Sequence, residues 1–220
     1  RLFLNLVDPN IELQFLKSLR YRDGLELYVK MKYCINDVFL GNKITECISL
    51  LKDISNESEK YAGFDTSSVN RKICRYSIIR PYAWKDWKYG KFTDFGRLNE
   101  PLALSAYLDI LKSYLTSPAS PFYDQFKDRT LLYDYENSTV VFELTLDGNT
   151  YQFTANLLQT IVIMTINTFG SISAQDLESK TGIPLKSLSS IINSFIRCGI
   201  VTRDKTVSQN DPRMLIKINT

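Results

Sequence analysis

Between Val140 and Val201 turn and capping residues follow one another so closely that the chain has few ways to fold. VVFELTL, from Val140 to Leu146, alternates apolar and polar residues, Asp147-Gly148 is the dipeptide favoured where a tight hairpin needs positive φ, and YQFTA alternates again from Tyr151. Two paired strands are expected. Asn156 is placed to cap the next stretch, LLQTIVIMTINTF, whose Leu157, Leu158, Ile161, Val162 and Ile166 recur at helical spacing and predict a buried helix. Ser173 and Asp176 stand in the S-x-x-D relation that caps a second helix, which Gly182 ends before Pro184 admits a third. The third helix is LKSLSSIINSFIRC, with Gly199 as its left-handed terminator, and IVTRD leaves as a strand able to pair with RMLIKIN.

Three helices closed by a two-stranded wing are the plan of a winged-helix domain, expected over residues 156–220. The fold class read from the whole chain is α+β: a helical bundle segment over 1–70, a small α/β sheet domain with an aromatic loop and the hairpin over 71–155, and then the winged helix.

A chain of 220 residues that is 44% hydrophobic can bury a core of its own. Histidine is absent, which removes the commonest general base, the commonest metal ligand and every Ser-His or Cys-His nucleophile pair. Cys34, Cys47, Cys74 and Cys198 lie far apart, so no C-x-x-C metal or redox pair exists, and they read as small apolar residues of a reducing compartment. The net charge of +3 is a small surplus for a polyanion binder, which needs Lys and Arg gathered on one face. No apolar run approaches the ~20 residues that span a bilayer, so no membrane partner is expected. No cofactor, metal ligand set or catalytic residue is assigned.

Towards the N-terminus, Leu13, Leu16 and Leu19 mark one face of a first helix, and Leu25, Tyr28, Val29 and Lys32 fall around a second. Ile44, Cys47, Ile48, Leu51 and Ile54 predict a third helix, with Lys52, Asp53, Glu57 and Lys60 on its outer side. Residues 61–70 read as a turn-rich linker. RKICRYSIIR then reads as a strand stopped by Pro81. The aromatic residues Tyr82, Trp84, Trp87, Tyr89, Phe92 and Phe95 read as pins that hold a long loop to the core, in preference to a stacking platform for bases. Asn99 with Pro101 opens a helix from Leu102 to Leu115, which TSPASP ends.

The succession of these elements resembles the C-terminal half of a cullin, over nearly the whole chain. Its carriers are a helix ending in LLKDIS (Leu50 to Ser55, with Lys52-Asp53-Ile54), the strand CRYSIIR, the Trp84 loop, RTLLYDY, the hairpin, the Gln159 to Met164 helix and the Arg213 to Asn219 ending. Asp128-Arg129 stands where the family shows Gly-Arg, and Tyr133 where it shows Trp, which marks a divergent member. The cullin-like subunit of the anaphase-promoting complex, a cell-cycle ubiquitin ligase, shares the same order, and the RMLIKIN ending sides with the cullins proper.

The resemblance implies a non-catalytic scaffold of a cullin-RING ubiquitin ligase, cytoplasmic and nuclear. A RING-box-type zinc protein would add a strand to the α/β sheet and bring a ubiquitin-conjugating enzyme, while a substrate receptor would bind an N-terminal region outside this sequence. Strand addition works through main-chain hydrogen bonds at an open sheet edge. The expected sheet combines Ile73 to Ile79 with Val140 to Leu146 and Tyr151 to Thr154. The expected partner-binding residues are therefore Val140, Val141, Phe142, Glu143, Leu144, Tyr151 and Phe153, together with Tyr76, Ile78 and Trp84. The family's modifier-acceptor lysine lies in a further winged helix, so no lysine here is assigned that role.

The competing class is a nucleic-acid-binding or transcription-associated winged helix. Its reading helix would be Leu185 to Cys198, where only Lys186, Asn193 and Arg197 could reach base edges, and the apolar remainder suits a protein partner better. An enzyme would have to rest on scattered carboxylates. Asp134 and Glu136 would share one side of an alternating strand, and Glu143 is expected to point outwards from its own.

Overall fold

The computed structural model describes residues 11–17, 24–50, 74–84, 93–146, 148–203 and 215–219. Its helices are α1 (residues 11–17), α2 (Leu25–Leu50), α3 (Pro81–Trp84), α4 (Leu102–Thr116), α5 (Tyr123–Phe126), α6 (Leu157–Phe169), α7 (Ala174–Thr181) and α8 (Leu185–Arg197). Its strands are β1 (Thr139–Leu146), β2 (Asn149–Asn156), β3 (Ser171–Ser173), β4 (Val201–Arg203) and β5 (Leu215–Ile218). They form two antiparallel sheets, β1-β2 and β3-β5-β4. The expectations placed on Leu19, on residues 51–73, on Trp87, Tyr89 and Phe92, and on Asp147, Asp204, Arg213 and Met214 lie outside the described residues.

The chain divides into two units, one of residues up to Phe92 with Ala106–Thr130, the other of Thr93–Ser105 with Leu131–Thr220. This division cuts across the expected consecutive segments 1–70, 71–155 and 156–220.

In the first unit α2 is a single helix of 26 residues where two separate helical segments were expected. Cys34, Asp37, Gly41, Ile44 and Ile48 are all buried and recur at alternating steps of three and four, which puts them on one stripe. An acidic residue and a glycine in the middle of that stripe hide it from an apolar-periodicity reading. Residues 74–80 lie on it. They are extended but join no strand ladder among the described residues, so the expected strand at Ile73 to Ile79 is corrected.

The reason lies in where their backbone groups find partners. Tyr76 N donates to Thr45 Oγ1 at 2.9 Å and Arg80 N to Asp37 Oδ2 at 3.0 Å, so side chains of α2 satisfy groups that a neighbouring strand would otherwise take. The Tyr76 hydroxyl donates to the carbonyl of Tyr107 in α4 at 2.9 Å. Further along α4 and beyond it, Tyr114 meets Phe122 edge to face at 6.1 Å.

In the second unit β1 and β2 pair as expected, with Leu146 opposite Asn149, and Gly148 holds φ 77° at the turn. Asn156 and Gln159 form a reciprocal capping box at the start of α6: the Asn156 side chain accepts from Gln159 N at 2.8 Å, and Gln159 Oε1 accepts from Asn156 N at 3.0 Å. Ser173 caps α7 by accepting from Asp176 N at 3.0 Å, and Gly182 closes that helix in the left-handed region. Leu188, Ile191, Ile192 and Phe195 of α8 are all buried, each contributing about 1.5–3 kcal/mol of transfer free energy. The apolar residues once credited to a partner thus belong to the unit's own core.

Residues 93–100 join this unit through a buried polar cluster. The Tyr135 hydroxyl donates to Glu100 Oε1 and accepts from Leu98 N at 3.3 Å, Arg97 Nε pairs with Glu100 Oε2 at 3.0 Å, and Asn99 N donates to the Thr181 carbonyl at 2.9 Å. Tyr135 stands in a turn, where an alternating strand through Asp134 and Glu136 was expected. Asp134 accepts from Asn137 N at 3.1 Å and Glu136 from the Thr93 hydroxyl at 2.8 Å, so the two carboxylates serve separate local bonds.

Candidate partner-binding surface

The ten expected partner-binding residues fall into two groups. Val140, Val141, Phe142, Glu143, Leu144, Tyr151 and Phe153 all stand on the β1-β2 hairpin of the second unit. Tyr76, Ile78 and Trp84 belong to the first unit, and two of them have structural tasks there. Tyr76 is buried and bonded at both its amide and its hydroxyl, and Trp84 Nε1 donates to Asp37 Oδ2 at 3.0 Å. Ile78 is half-buried on the same extended segment. The three-stranded sheet expected from both groups does not form, and among the described residues the hairpin sheet has two strands.

Register fixes which groups of the hairpin face outwards. With a two-residue turn, Leu146 and Asn149 exchange both ladder hydrogen bonds, and so do Leu144 with Tyr151, Phe142 with Phe153 and Val140 with Ala155. The main-chain N–H and C=O groups of Val141, Glu143 and Thr145 therefore point away from β2. Those of Thr150, Gln152 and Thr154 point away from β1. Neither row pairs with another strand among the described residues.

The two faces differ in chemistry. Phe142, Leu144, Tyr151 and Phe153 share one face, with the Phe142 and Phe153 rings stacked at 5.8 Å and Tyr151 against Phe153 at 6.4 Å. Val141, Glu143 and Thr145 share the other with Thr150, Gln152 and Thr154, and the Thr145 and Thr150 hydroxyls are 3.2 Å apart. Glu143 is exposed, as its place in the alternation predicts. Beneath the aromatic face a cleft of about 170 Å³ opens against α6 and α8, walled by Phe142, Leu144, Phe153, Ile163, Phe195 and Cys198 among others.

One buried carboxylate of the first unit is held by groups of residues 80–84. Asp37, wholly buried, accepts from Arg80 N and Trp84 Nε1 and pairs with Arg80 Nε at 3.1 Å, while the Arg80 guanidinium covers the Tyr33 ring at 4.8 Å. Burial raises the Asp37 carboxyl pKa above its ordinary value, against the bonds from Trp84 and Arg80 and the charges of Arg80 and Arg129, which lower it. Burial first, and the Asp37 charge next, push the Cys34 thiol up to about 11, and burial also raises Cys74. Neither is a thiolate at neutral pH, which makes both poor nucleophiles. Cys198 is exposed at the end of α8 and Cys47 is half-buried.

Among the described residues no three His, Cys, Asp or Glu side chains gather where they could hold a metal ion, and no helix is long and apolar enough to cross a membrane. Compared with known proteins, the chain matches no protein-family model, and no curated protein matches its sequence.

Proposed function

We propose that this chain is a scaffold of a cullin-type ubiquitin ligase, in which the β1-β2 hairpin takes an added strand from a RING-box-type zinc protein and so positions a loaded ubiquitin-conjugating enzyme. The observation that carries this reading is the main-chain edge of the hairpin at Val141, Glu143 and Thr145, which pairs with no further strand among the described residues. A two-stranded ribbon is marginally stable by itself and gains from a third strand, which makes such an edge a site for β-augmentation. The resemblance of element order described above supplies the identity of the partner.

The following residues support a winged helix in the same unit. α6, β3, α7, α8, β4 and β5 occur in that order, and β5 lies between β3 and β4 with both pairings antiparallel. A scaffold of this kind needs no catalytic side chain, because holding two reactants in one geometry can supply on the order of 7–11 kcal/mol of a barrier.

The test is a discharge assay with a ubiquitin-loaded conjugating enzyme. The chain and a co-expressed RING-box protein together should accelerate discharge, and the chain without that protein should not. Acceleration by the chain alone, or failure of the two to form a complex, would overturn the scaffold reading.

One observation favours a second reading as a nucleic-acid binder. The exposed face of α8 carries Lys186, Ser189, Ser190, Asn193 and Arg197, all polar and none acidic, which suits contact with a phosphate backbone.

A further inference from the structure

The outer face of α8 is held still by the rest of its unit. Leu188, Ile191, Ile192 and Phe195 are buried on the opposite side, so the helix cannot roll. The turn before it, Gly182-Ile183-Pro184, is tied down at both ends. Gly182 sits in the left-handed region, the Ile183 amide donates to the buried Thr181 hydroxyl at 3.2 Å, and the Leu185 amide donates to Glu178 Oε1 at 2.9 Å. α7, a short turn that begins with glycine, and a second helix with a polar outer face suit the plan of a helix-turn-helix.

The exposed residues of α8 are Lys186, Ser189, Ser190, Asn193 and Arg197. Lys186 and Arg197 are 11 positions apart, about 16 Å along the axis and close to a whole number of turns, so they end one stripe. The major groove of B-DNA is about 12 Å wide, which lets such a stripe bridge it with one cation at each phosphate wall. Between them Ser189 and Ser190 are short enough for close approach, and the Asn193 amide reaches furthest. Lys186, Asn193 and Arg197 enter no hydrogen bond or ion pair among the described residues.

The acidic residues between Leu157 and Arg203 are Asp176 and Glu178, and both are engaged beside the turns: Asp176 accepts from the Ser173 hydroxyl at 2.6 Å and Glu178 from Leu185 N. No carboxylate stands on α8 to repel a polyanion. An acidic protein surface would satisfy the two cations and leave the Asn193 amide idle, whereas an adenine edge offers an acceptor and a donor side by side and uses both of its ends.

Resting on the nucleic-acid reading, we propose that α7 and α8 act as a helix-turn-helix whose second helix enters the major groove of duplex DNA, with Lys186 and Arg197 on the phosphates of opposite strands and Asn193 on an adenine edge. The phosphate contacts position the helix, and Asn193 supplies the sequence preference.

The experiment selects, on the full chain at about 50 mM salt, from a pool of DNA duplexes randomised over about ten base pairs, one turn of the double helix. The selected duplexes should share an adenine. Asn193→Ala should bind them about tenfold more weakly and bind a duplex lacking that adenine as the unaltered chain does. Lys186→Ala and Arg197→Ala should weaken both duplexes alike, each reducing the salt slope by about 1. All three positions are exposed, and thermal unfolding checks that each variant keeps its fold.

Tight binding with no preferred base, or a preference that survives Asn193→Ala, overturns the groove assignment and leaves the nucleic-acid reading standing. Equal displacement of the duplex by polyglutamate marks a face for any polyanion and overturns both. So does a chain that retains no duplex at low salt, an outcome that leaves the scaffold reading untouched.

Discussion

A Cβ placed on Gly41 would lie 2.7 Å from the carbonyl oxygen of Tyr76, and the backbone of Ser77 and Ile78 is almost as near. The glycine in the middle of α2 is what lets the extended segment lie directly on the helix. Gly41→Ala raises helix propensity by ~1 kcal/mol, but the contact is with backbone, which cannot swing aside, and overpacking of this kind costs ~1–3 kcal/mol. The net effect should be a loss of up to about 2 kcal/mol in urea unfolding, opposite in sign to an ordinary Gly→Ala change in a helix.

Asp37 should give a distinctive pH dependence. Its folded-state pKa is raised, chiefly by burial, so the folded chain binds this proton more tightly than the unfolded chain. The cost of holding the carboxylate is present in full above the folded pKa and is relieved as pH falls towards the unfolded value. Wild type should therefore gain stability relative to Asp37→Asn, which does not titrate, as pH falls from neutral towards the ordinary Asp pKa of about 4. At neutral pH Asp37→Ala should cost about 3–5 kcal/mol, because Trp84 Nε1 and Arg80 lose their acceptor. Urea titrations at the two pH values measure both effects.

Tyr135→Phe removes one hydroxyl that serves two partners. The Glu100 side chain, 2% exposed, would keep only the Arg97 pair of the bonds described for it, and Leu98 N would lose its acceptor. An unsatisfied buried group costs about 1–3 kcal/mol, and the loss should appear as a lower denaturation midpoint with an unchanged slope. Amide exchange at Leu98 should rise with it.

The α8 face separates the two functional readings. Lys186 and Arg197 offer two phosphate contacts, and each contact contributes a salt slope of about −0.9 in log affinity. On the scaffold reading duplex DNA binds weakly at moderate salt, and Lys186→Ala with Arg197→Ala changes little. Sub-micromolar binding with a steep slope, abolished by that pair of substitutions, would instead support the nucleic-acid reading.

Local chemistry decided the second unit, and it is legible in the sequence for that reason. Gly148, Asn156, Ser173 with Asp176, and Gly182 act on backbone within three or four residues, and the hairpin, α6, α7 and α8 follow. Register then made the orientation of Val141 and Glu143 a matter of counting from the turn. Tyr76, Ile78 and Trp84 were a different case. Alternation marked their segment as extended, but whether an extended segment joins a sheet depends on which partners reach its backbone groups, and those proved to be Thr45 and Asp37, more than thirty residues earlier in the chain. The same distance in sequence concealed the burial of Asp37 and Gly41, the continuity of α2 through them, and the attachment of Leu98 and Glu100 to Tyr135. Periodicity reports which face of an element is apolar. Only the tertiary structure decides which polar residue or glycine that face must carry to meet the segment laid against it.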